Sequence, residues 1–202
     1  VRYGYGFVQG VDAAAKELDK TVELNYVYGN MFSGDPDITA AMDVWYQGGT
    51  QVVFACGGGI YTSAVDAAKK VEGAKVIGVD VDQAGVIANY AGGDEYKELT
   101  VTSAMKGLYP ATYDALTDII LSGKWADYVG KIETLGLVSG DDPEANYVQI
   151  PMESTQWSDS FTQEDYKALV AKMFAGEVTV SNDTTTVPAV TNTTLNMQDN
   201  IK

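Results

Sequence analysis

Histidine is absent from this 202-residue sequence, and cysteine occurs once, as Cys56. Without imidazole, the chain has no Ser-His or Cys-His nucleophile pair and no histidine-ligated metal site. A single cysteine excludes an intrachain disulfide and a zinc site built from several cysteines. No sequence motif predicts a metal site or a cofactor.

Basic residues and long apolar runs are also scarce. The chain has 13 Lys and Arg against 28 Asp and Glu, which gives a formal net charge of −15. Because so acidic a surface repels phosphate backbones, we expect no nucleic-acid partner. No apolar run approaches the roughly 18 residues that a membrane-spanning helix needs, and the first residues do not form a signal peptide.

What remains is the composition of a folded domain, with 46% hydrophobic residues. The first hundred residues alternate between short apolar strands and helices. We predict strands at 21–28, 51–55 and 75–79, and helices at 2–18, 36–47 and 64–71. Strand–helix units of about thirty residues indicate an α/β fold with a parallel sheet flanked by helices.

After residue 97 the pattern is less regular. We predict an edge or crossing strand at 98–103, a helix at 105–121 with Pro110 in its first turn, and a helix at 162–175. Short strands are predicted at 127–137 and 146–150. From Ser181 the Thr- and Asn-rich sequence fits either a loosely held tail or a late strand.

The first predicted helix has one apolar face, which consists of Phe7, Val8, Val11, Ala14, Ala15 and Leu18. When the first element of a chain is a helix with an apolar face, that face must pack against a sheet formed by other segments. Val1 is also not preceded by Met. We therefore expect that a stretch before Val1 has been removed.

Three predicted strands end in polar or glycine-rich loops, at 30–33, 56–59 and 80–83. In open parallel α/β sheets, ligands bind at the carboxyl ends of the strands. Since parallel neighbours place these loops on one rim, we expect Phe32, Gly57 and Asp80 to share one edge of the molecule.

The second and third loops offer backbone and carboxylate groups. Gly57 and Gly58 let a ligand approach the backbone at the start of a helix, although a flexible turn is the alternative. Their spacing does not match a nucleotide phosphate loop. Asp80 directly follows an apolar strand, where its carboxylate can accept hydrogen bonds from the vicinal hydroxyls of a sugar. The alternative is a cap or turn residue, a role for which Asp82 is the better candidate.

Two longer side chains complete the candidates. Phe32 lies in an otherwise polar loop, where its ring can stack on a planar ligand or anchor the loop on a helix. Phe54 lies inside a strand and fits the core better. Lys106 is unfavourable near a helix N-terminus, so we predict that it meets a polar ligand or Asp80, with a solvated lysine as the alternative.

No serine or threonine has an evident base in the sequence, so we predict a binding protein and not an enzyme. A catalytic pair of carboxylates, as in glycosidases, is an alternative that the sequence leaves open, because two such residues can be far apart in sequence and close in the fold.

Five segments occur in a familiar order: NYVYGNMFSGDP, QGGTQVVF, ACGGG, IGVDVDQ and TSAMK. This succession resembles the basic membrane protein family, the purine nucleoside receptor-like lipoproteins that bind solutes for ABC importers. The resemblance implies a type I periplasmic-binding-protein-like fold, in which two α/β lobes close on a ligand. Residues 1–103 would form the ligand-binding lobe, and 104–202 would supply segments shared with a second lobe that is largely missing.

The resemblance also implies a binding site. In it, Asp80 would hold ribose hydroxyls, Lys106 would add a polar contact, and Phe32 would stack on the base, with Phe54 as second choice for that role. The full set of implied ligand-binding residues is Phe32, Gly57, Gly58, Asp80 and Lys106.

By the same resemblance, the protein would lie outside the cytoplasm of a bacterium, either periplasmic or held at the cell membrane by a lipid anchor absent from this chain. Its partners would be a nucleoside, expected to be a purine nucleoside, and ABC permease subunits. Affinity in this chain alone should be low, since the first lobe's contacts are absent. A sugar or another small polar ligand stays open. So do two other classes: a sugar- or nucleoside-processing enzyme, and a ligand-sensing domain.

Overall fold

In a computed structural model of the protein, residues 1–201 are described. The strands are β1 (Val22–Tyr26), β2 (Val52–Phe54), β3 (Lys75–Asp80), β4 (Thr100–Lys106), β5 (Val148–Gln149) and β6 (Thr193–Met197). The α-helices are α1 (Arg2–Glu17), α2 (Pro36–Gln47), α3 (Tyr61–Ala68), α4 (Ala84–Ala91), α5 (Leu108–Leu116), α6 (Trp125–Tyr128) and α7 (Gln163–Phe174). Short 3₁₀ segments lie at Asp94–Leu99 and Pro143–Ala145, and a π-helical turn follows α5 at Thr117–Leu121.

The strands form two sheets. The larger sheet has the order β2-β3-β4-β5, in which β2, β3 and β4 are parallel and β5 is antiparallel to β4. The smaller sheet pairs β1 with β6 in parallel. The prediction of an α/β fold with a mainly parallel sheet is thereby confirmed.

Helices cover both faces of this arrangement. Val53 of β2 belongs to the main buried core, together with Ile38 of α2 and Val65 of α3. Phe54, the next residue, points to the opposite face, where its ring lies 5.1 Å from that of Phe7 in α1. The alternation along β2 thus places α2 and α3 on one face and α1 on the other.

Sequence signals fix the starts of two helices. Asp35 caps α2 by accepting a hydrogen bond from the Asp37 N–H, and Pro36 occupies the first helical position. Thr162 and Asp165 form a reciprocal capping box at the start of α7.

Several local predictions are wrong. Leu18 is exposed and Ala14 is also solvent-facing, so the buried face of α1 is narrower than its apolar pattern indicates. The strand β4 is internal and not an edge strand, since it pairs with both β3 and β5. Because β4 continues to Lys106, the following helix begins at Leu108 and not at residue 105.

No strand forms at 127–137. That region contains α6 and then irregular chain with exposed side chains, where Gly130 adopts a positive φ of 72°. The segment contains apolar residues, but no strand pairs with it. In the tail, the late strand is the correct alternative: it is β6, which pairs with β1.

None of the helices within residues 1–201 combines the length and apolar character required to cross a membrane.

Candidate functional site

The carboxyl ends of β2, β3 and β4 lie at one edge of the larger sheet, because these three strands are parallel. The loop that follows β1 reaches the same edge. There the Gly59 N–H donates a hydrogen bond to the Phe32 carbonyl over 2.8 Å, and Ser33 bridges to Gly59. We call this edge the carboxyl rim; it consists of residues 30–33, 56–59, 80–83 and Lys106.

An ion pair lies at the carboxyl rim. Asp80 Oδ1 and Lys106 Nζ are 2.6 Å apart. The strand register explains the contact, since Asp80 pairs with Met105, which directly precedes Lys106. Of the two partners predicted for Lys106, the structure therefore has Asp80.

The hydrogen bond that Lys106 donates to Asp80 raises the pKa of Lys106, and partial burial opposes this effect without cancelling it. Both side chains keep a substantial part of their surface in solvent. An ion pair of this exposure contributes only about 0–1 kcal/mol to folding. The two charges therefore add little stability, and both remain accessible to a ligand.

Asp80 has an unusual backbone. Its φ of 72° lies in the left-handed region, which costs a non-glycine residue on the order of 1 kcal/mol and favours Gly, Asn or Asp. The strand thus ends in a sharp turn at the residue that carries the carboxylate.

Asp82 has the structural role that its position indicated. Its Oδ1 accepts from the Ala84 N–H at 3.1 Å, at the start of α4. Its Oδ2 accepts from the Ser154 hydroxyl at 2.8 Å. Both carboxylate oxygens are therefore engaged in holding loops together.

The glycine turn after β2 supports the loop that carries Phe32. A Cβ on Gly58 would lie 3.2 Å from the Phe32 carbonyl oxygen, and Gly58 has a positive φ of 49°. A Cβ on Gly57 would lie 3.8 Å from the Phe32 ring. The glycines are thus needed for the close approach of a neighbouring loop, whether or not a ligand is present. Gly57 itself is buried beneath the Phe32 loop.

Phe32 is 83% exposed, the highest value for any aromatic side chain in the described chain. Its backbone is fixed by Gly59, while its ring faces solvent beside Gly57. An anchored backbone with a free ring fits a stacking surface better than a loop anchor. Phe54, by contrast, packs against Phe7 of α1.

Sequence reasoning missed Gln83, which connects the rim loops. Its side chain is 6% exposed. Its Oε1 accepts from the Val79 N–H at 2.8 Å, and its Nε2 donates to the Gly58 carbonyl at 3.4 Å. Its own N–H donates to the Ser103 hydroxyl over 3.0 Å. Gln83 therefore joins the loop after β2 to β3 and β4.

Tyr3 of α1, near the carboxyl rim, is a second residue that sequence reasoning missed. Burial raises its pKa, and the charges of Lys106 and Asp80 act on it in opposite directions. Tyr3, in the first turn of α1, is therefore near enough to the ion pair to be affected by its charges. Cys56, the one cysteine, is exposed at the same rim.

The structure thus brings the predicted residues to one edge in two connected groups. Phe32 lies on Gly57 and Gly58, and Asp80 pairs with Lys106. The side chain of Gln83 links the two groups. Within residues 1–201, no cluster of three or more acidic or cysteine side chains is arranged to hold a metal ion.

The fold and the rim together define an α/β domain with an exposed aromatic ring, seated on a glycine turn, and a carboxylate–ammonium pair at the carboxyl edge of its sheet. The sequence matches no protein-family model and no curated protein.

Proposed function

We propose that this chain is the ligand-binding lobe of a solute receptor that delivers a nucleoside, most naturally a purine nucleoside, to an ABC importer outside the bacterial cytoplasm. The observation that carries the proposal is the placement of Phe32 and of the Asp80–Lys106 pair at one carboxyl rim. The proposed fold is a type I periplasmic-binding-protein-like lobe, with residues 1–103 as its ligand-binding part.

The groups at the rim suit the two halves of a nucleoside. A carboxylate can accept hydrogen bonds from both vicinal ribose hydroxyls, and Lys106 lies 2.6 Å from Asp80, where it can add a donor. An exposed aromatic ring stacks on a planar base, with a gain of about 0.5–1.5 kcal/mol beyond area burial. Asp80 and Lys106 could also bind a free sugar, which has no base to stack on Phe32. Stacking of a base on Phe32 is therefore what distinguishes a nucleoside from a sugar at this site.

The second half of the chain supports a two-lobed receptor. Many large apolar side chains between residues 108 and 135 are exposed, and Ile132 is fully so. Exposed apolar surface of this extent marks an interaction site. In the proposal, a second lobe covers it. The exposed residues are Leu108, Tyr109, Tyr113, Leu116, Ile120, Leu121, Trp125, Val129, Ile132 and Leu135.

The proposed receptor is not an enzyme. Asp80 is engaged with Lys106, and a receptor needs only to hold its ligand and release it unchanged. Fold alone does not decide this point. Incubation with inosine, adenosine and guanosine, followed by chromatography, is expected to return each nucleoside intact. Turnover that depends on Asp80 would establish the enzyme in place of the receptor.

Binding can be tested by titration with inosine, followed through the amide resonances of the protein. We expect saturable shifts at the carboxyl rim with a dissociation constant near the millimolar range, equivalent to about −4 kcal/mol. Asp80→Ala should weaken binding by roughly 1.5–3 kcal/mol, the range for hydrogen bonds to a charged group.

The chain offers a matched control for Asp80. Asp43 forms a similar ion pair with Lys70, at 2.7 Å, away from the carboxyl rim. Asp43→Ala removes a carboxylate of the same kind and should leave inosine binding unchanged. Equal effects of Asp80→Ala and Asp43→Ala, or no saturable shift at the rim, would overturn the proposed site.

A further inference from the structure

Asp80 lies at the centre of a γ-turn. The Val81 N–H donates a hydrogen bond to the Val79 carbonyl over 2.9 Å, which closes a three-residue turn around Asp80. Because the φ of Asp80 is 72°, this is the form of γ-turn that is rare and strained. Backbone strain of this kind persists only where the surrounding structure holds the residue in place, and it is concentrated at functional sites.

The γ-turn determines where the carboxylate lies. Side chains alternate between the two faces of a strand. A regular continuation of β3 would therefore put Asp80 on the same face as Val76 and Gly78, which are both buried. In the γ-turn, the Asp80 carboxylate instead reaches Lys106 at the exposed carboxyl rim. The strained turn is thus what makes this carboxylate accessible to a ligand.

The side chain of Gln83 holds this turn in place. Gln83 directly precedes α4, and its side chain folds back so that Oε1 accepts from the Val79 N–H at 2.8 Å. The fit against β3 is close, since a Cβ on Gly78 would lie 2.8 Å from the Gln83 Cβ and 2.9 Å from its Oε1. Glycine at position 78 therefore leaves the room that Gln83 needs to fix the residue before Asp80.

The same amide group also contacts the turn beneath Phe32. The Gln83 Nε2 donates to the Gly58 carbonyl at 3.4 Å. The next residue, Gly59, donates its N–H to the Phe32 carbonyl over 2.8 Å. One buried side chain therefore contacts both the turn that presents the carboxylate and the turn that supports the aromatic ring.

We infer that Gln83 is a positioning residue of the proposed nucleoside site. It keeps Asp80 in its strained turn and keeps Gly58 in place beneath Phe32, so that the groups for the ribose and for the base stay at a fixed spacing. Since only 6% of its surface is exposed, Gln83 acts through these neighbours and not by contact with the ligand. This inference rests on the proposed function, because it assigns Gln83 a role in nucleoside binding.

The test compares three variants of the full chain with the unchanged protein. Gln83→Met keeps the length of the side chain but removes both contacts of its amide group. Gly78→Ala retains Gln83 but displaces it, and it supplies the same test if Gln83→Met does not fold. Tyr46→Phe is the matched control. It also removes a buried hydrogen bond, from the Tyr46 hydroxyl to the Lys75 carbonyl at 2.7 Å, but at the opposite end of β3.

Two measurements are made without nucleoside. The three-bond coupling between the amide and α protons of Asp80 reports its φ, and amide hydrogen exchange at Gly59 reports its bond to Phe32. In Gln83→Met and Gly78→Ala, we expect the coupling to move toward that of an extended residue and the exchange to accelerate at least tenfold. Tyr46→Phe should change neither quantity, although it also lowers the melting temperature.

The third measurement is the affinity for inosine, from the titration described for Asp80→Ala. We expect Gln83→Met and Gly78→Ala to raise the dissociation constant at least fivefold, and Tyr46→Phe to leave it within twofold. A loss of stability alone does not produce this difference, because a variant that is still folded, with its site undisturbed, binds the ligand as before.

Two results would overturn the inference. One is a Gln83→Met variant in which the Asp80 coupling and the Gly59 exchange are both unchanged. The other is an inosine affinity of Gln83→Met equal to that of Tyr46→Phe. Failure of the proposed function gives a different result, in which the unchanged protein shows no saturable shift with inosine. The role of Gln83 in binding is then refuted as well, while the two measurements without nucleoside still show whether Gln83 holds both turns.

Discussion

Replacement of Gln83 by methionine should destabilise the protein by about 2 kcal/mol, because the change breaks the connection between the rim loops. Methionine keeps the length of the side chain but cannot replace its hydrogen bonds. The buried Val79 N–H loses its acceptor at 2.8 Å, and an unsatisfied buried donor costs about 1–3 kcal/mol. The bond to the Gly58 carbonyl is long, at 3.4 Å, and adds little.

Urea denaturation followed by tryptophan fluorescence measures this change. In a protein of about 200 residues, 2 kcal/mol corresponds to a melting temperature lower by about 4–8 °C. Gln47→Met at the exposed end of α2 is the matched control, with an expected change within about 0.5 kcal/mol. A Gln83→Met variant as stable as this control would refute the view that Gln83 holds the rim loops together.

Three further changes test the second half of the chain and its packing. Gly107→Ala should cost about 2–3 kcal/mol in urea denaturation, because a Cβ there overlaps the Asn146 carbonyl oxygen and lies 2.9 Å from Tyr147 Cα; Gly10→Ala, in open space on a helix, should instead gain about 0.5–1 kcal/mol. Asn146→Ala should cost about 3 kcal/mol, since this fully buried amide accepts from two backbone N–H groups and donates to two carbonyls; a cost below about 1 kcal/mol would contradict its role in ordering the loop at 138–142. The hydrogen bond to Asp114 raises the pKa of Tyr147 to about 12. The stability that Tyr147 has over Tyr147→Phe should therefore be constant below pH ~10 and disappear as the pH rises toward 12; a gap that persists at the highest pH would show that the hydroxyl is not involved.

The parallel half of the fold could be predicted because its strands are continuous apolar runs between glycine turns. The segments KVIGV and QVVFA have no polar face, which is the pattern of strands buried on both sides. The segment at 127–137, with its scattered apolar residues, gave a wrong prediction for a related reason. Apolar residues show that a segment can form a strand, but a strand also needs a paired neighbour. Among the described residues no strand pairs with this segment, whose one backbone bond of this kind joins Gly136 to Tyr147.

Local sequence patterns could not predict which distant segments pair in a sheet. The register of β1 with β6 joins Val22 to Thr193, and nothing in the Thr- and Asn-rich tail specifies that partner. Asp12 holds the residues just before β6 in place. Burial opposes ionisation of its carboxyl, but N–H donors from Asn192 and Thr191 outweigh that effect and lower its pKa.

In the candidate site, too, some residues could be predicted from local sequence and others could not. Asp80 and Phe32 could be chosen because each is out of place in its local context, as a carboxylate after an apolar strand and a ring in a polar loop. Gln83 and Tyr3 gave no such signal. Glutamine is ordinary at the start of a helix, and its importance comes from burial against Gly58 and Val79, which only the folded chain shows.

The central claim, that a nucleoside binds at the carboxyl rim, is tested most directly by intermolecular nuclear Overhauser effects between the protein and inosine. We predict contacts from the Phe32 ring protons to the base and from the residues around Asp80 to the ribose. Contacts confined to the exposed apolar surface at 108–135, or none at the rim while inosine is bound, would contradict the account.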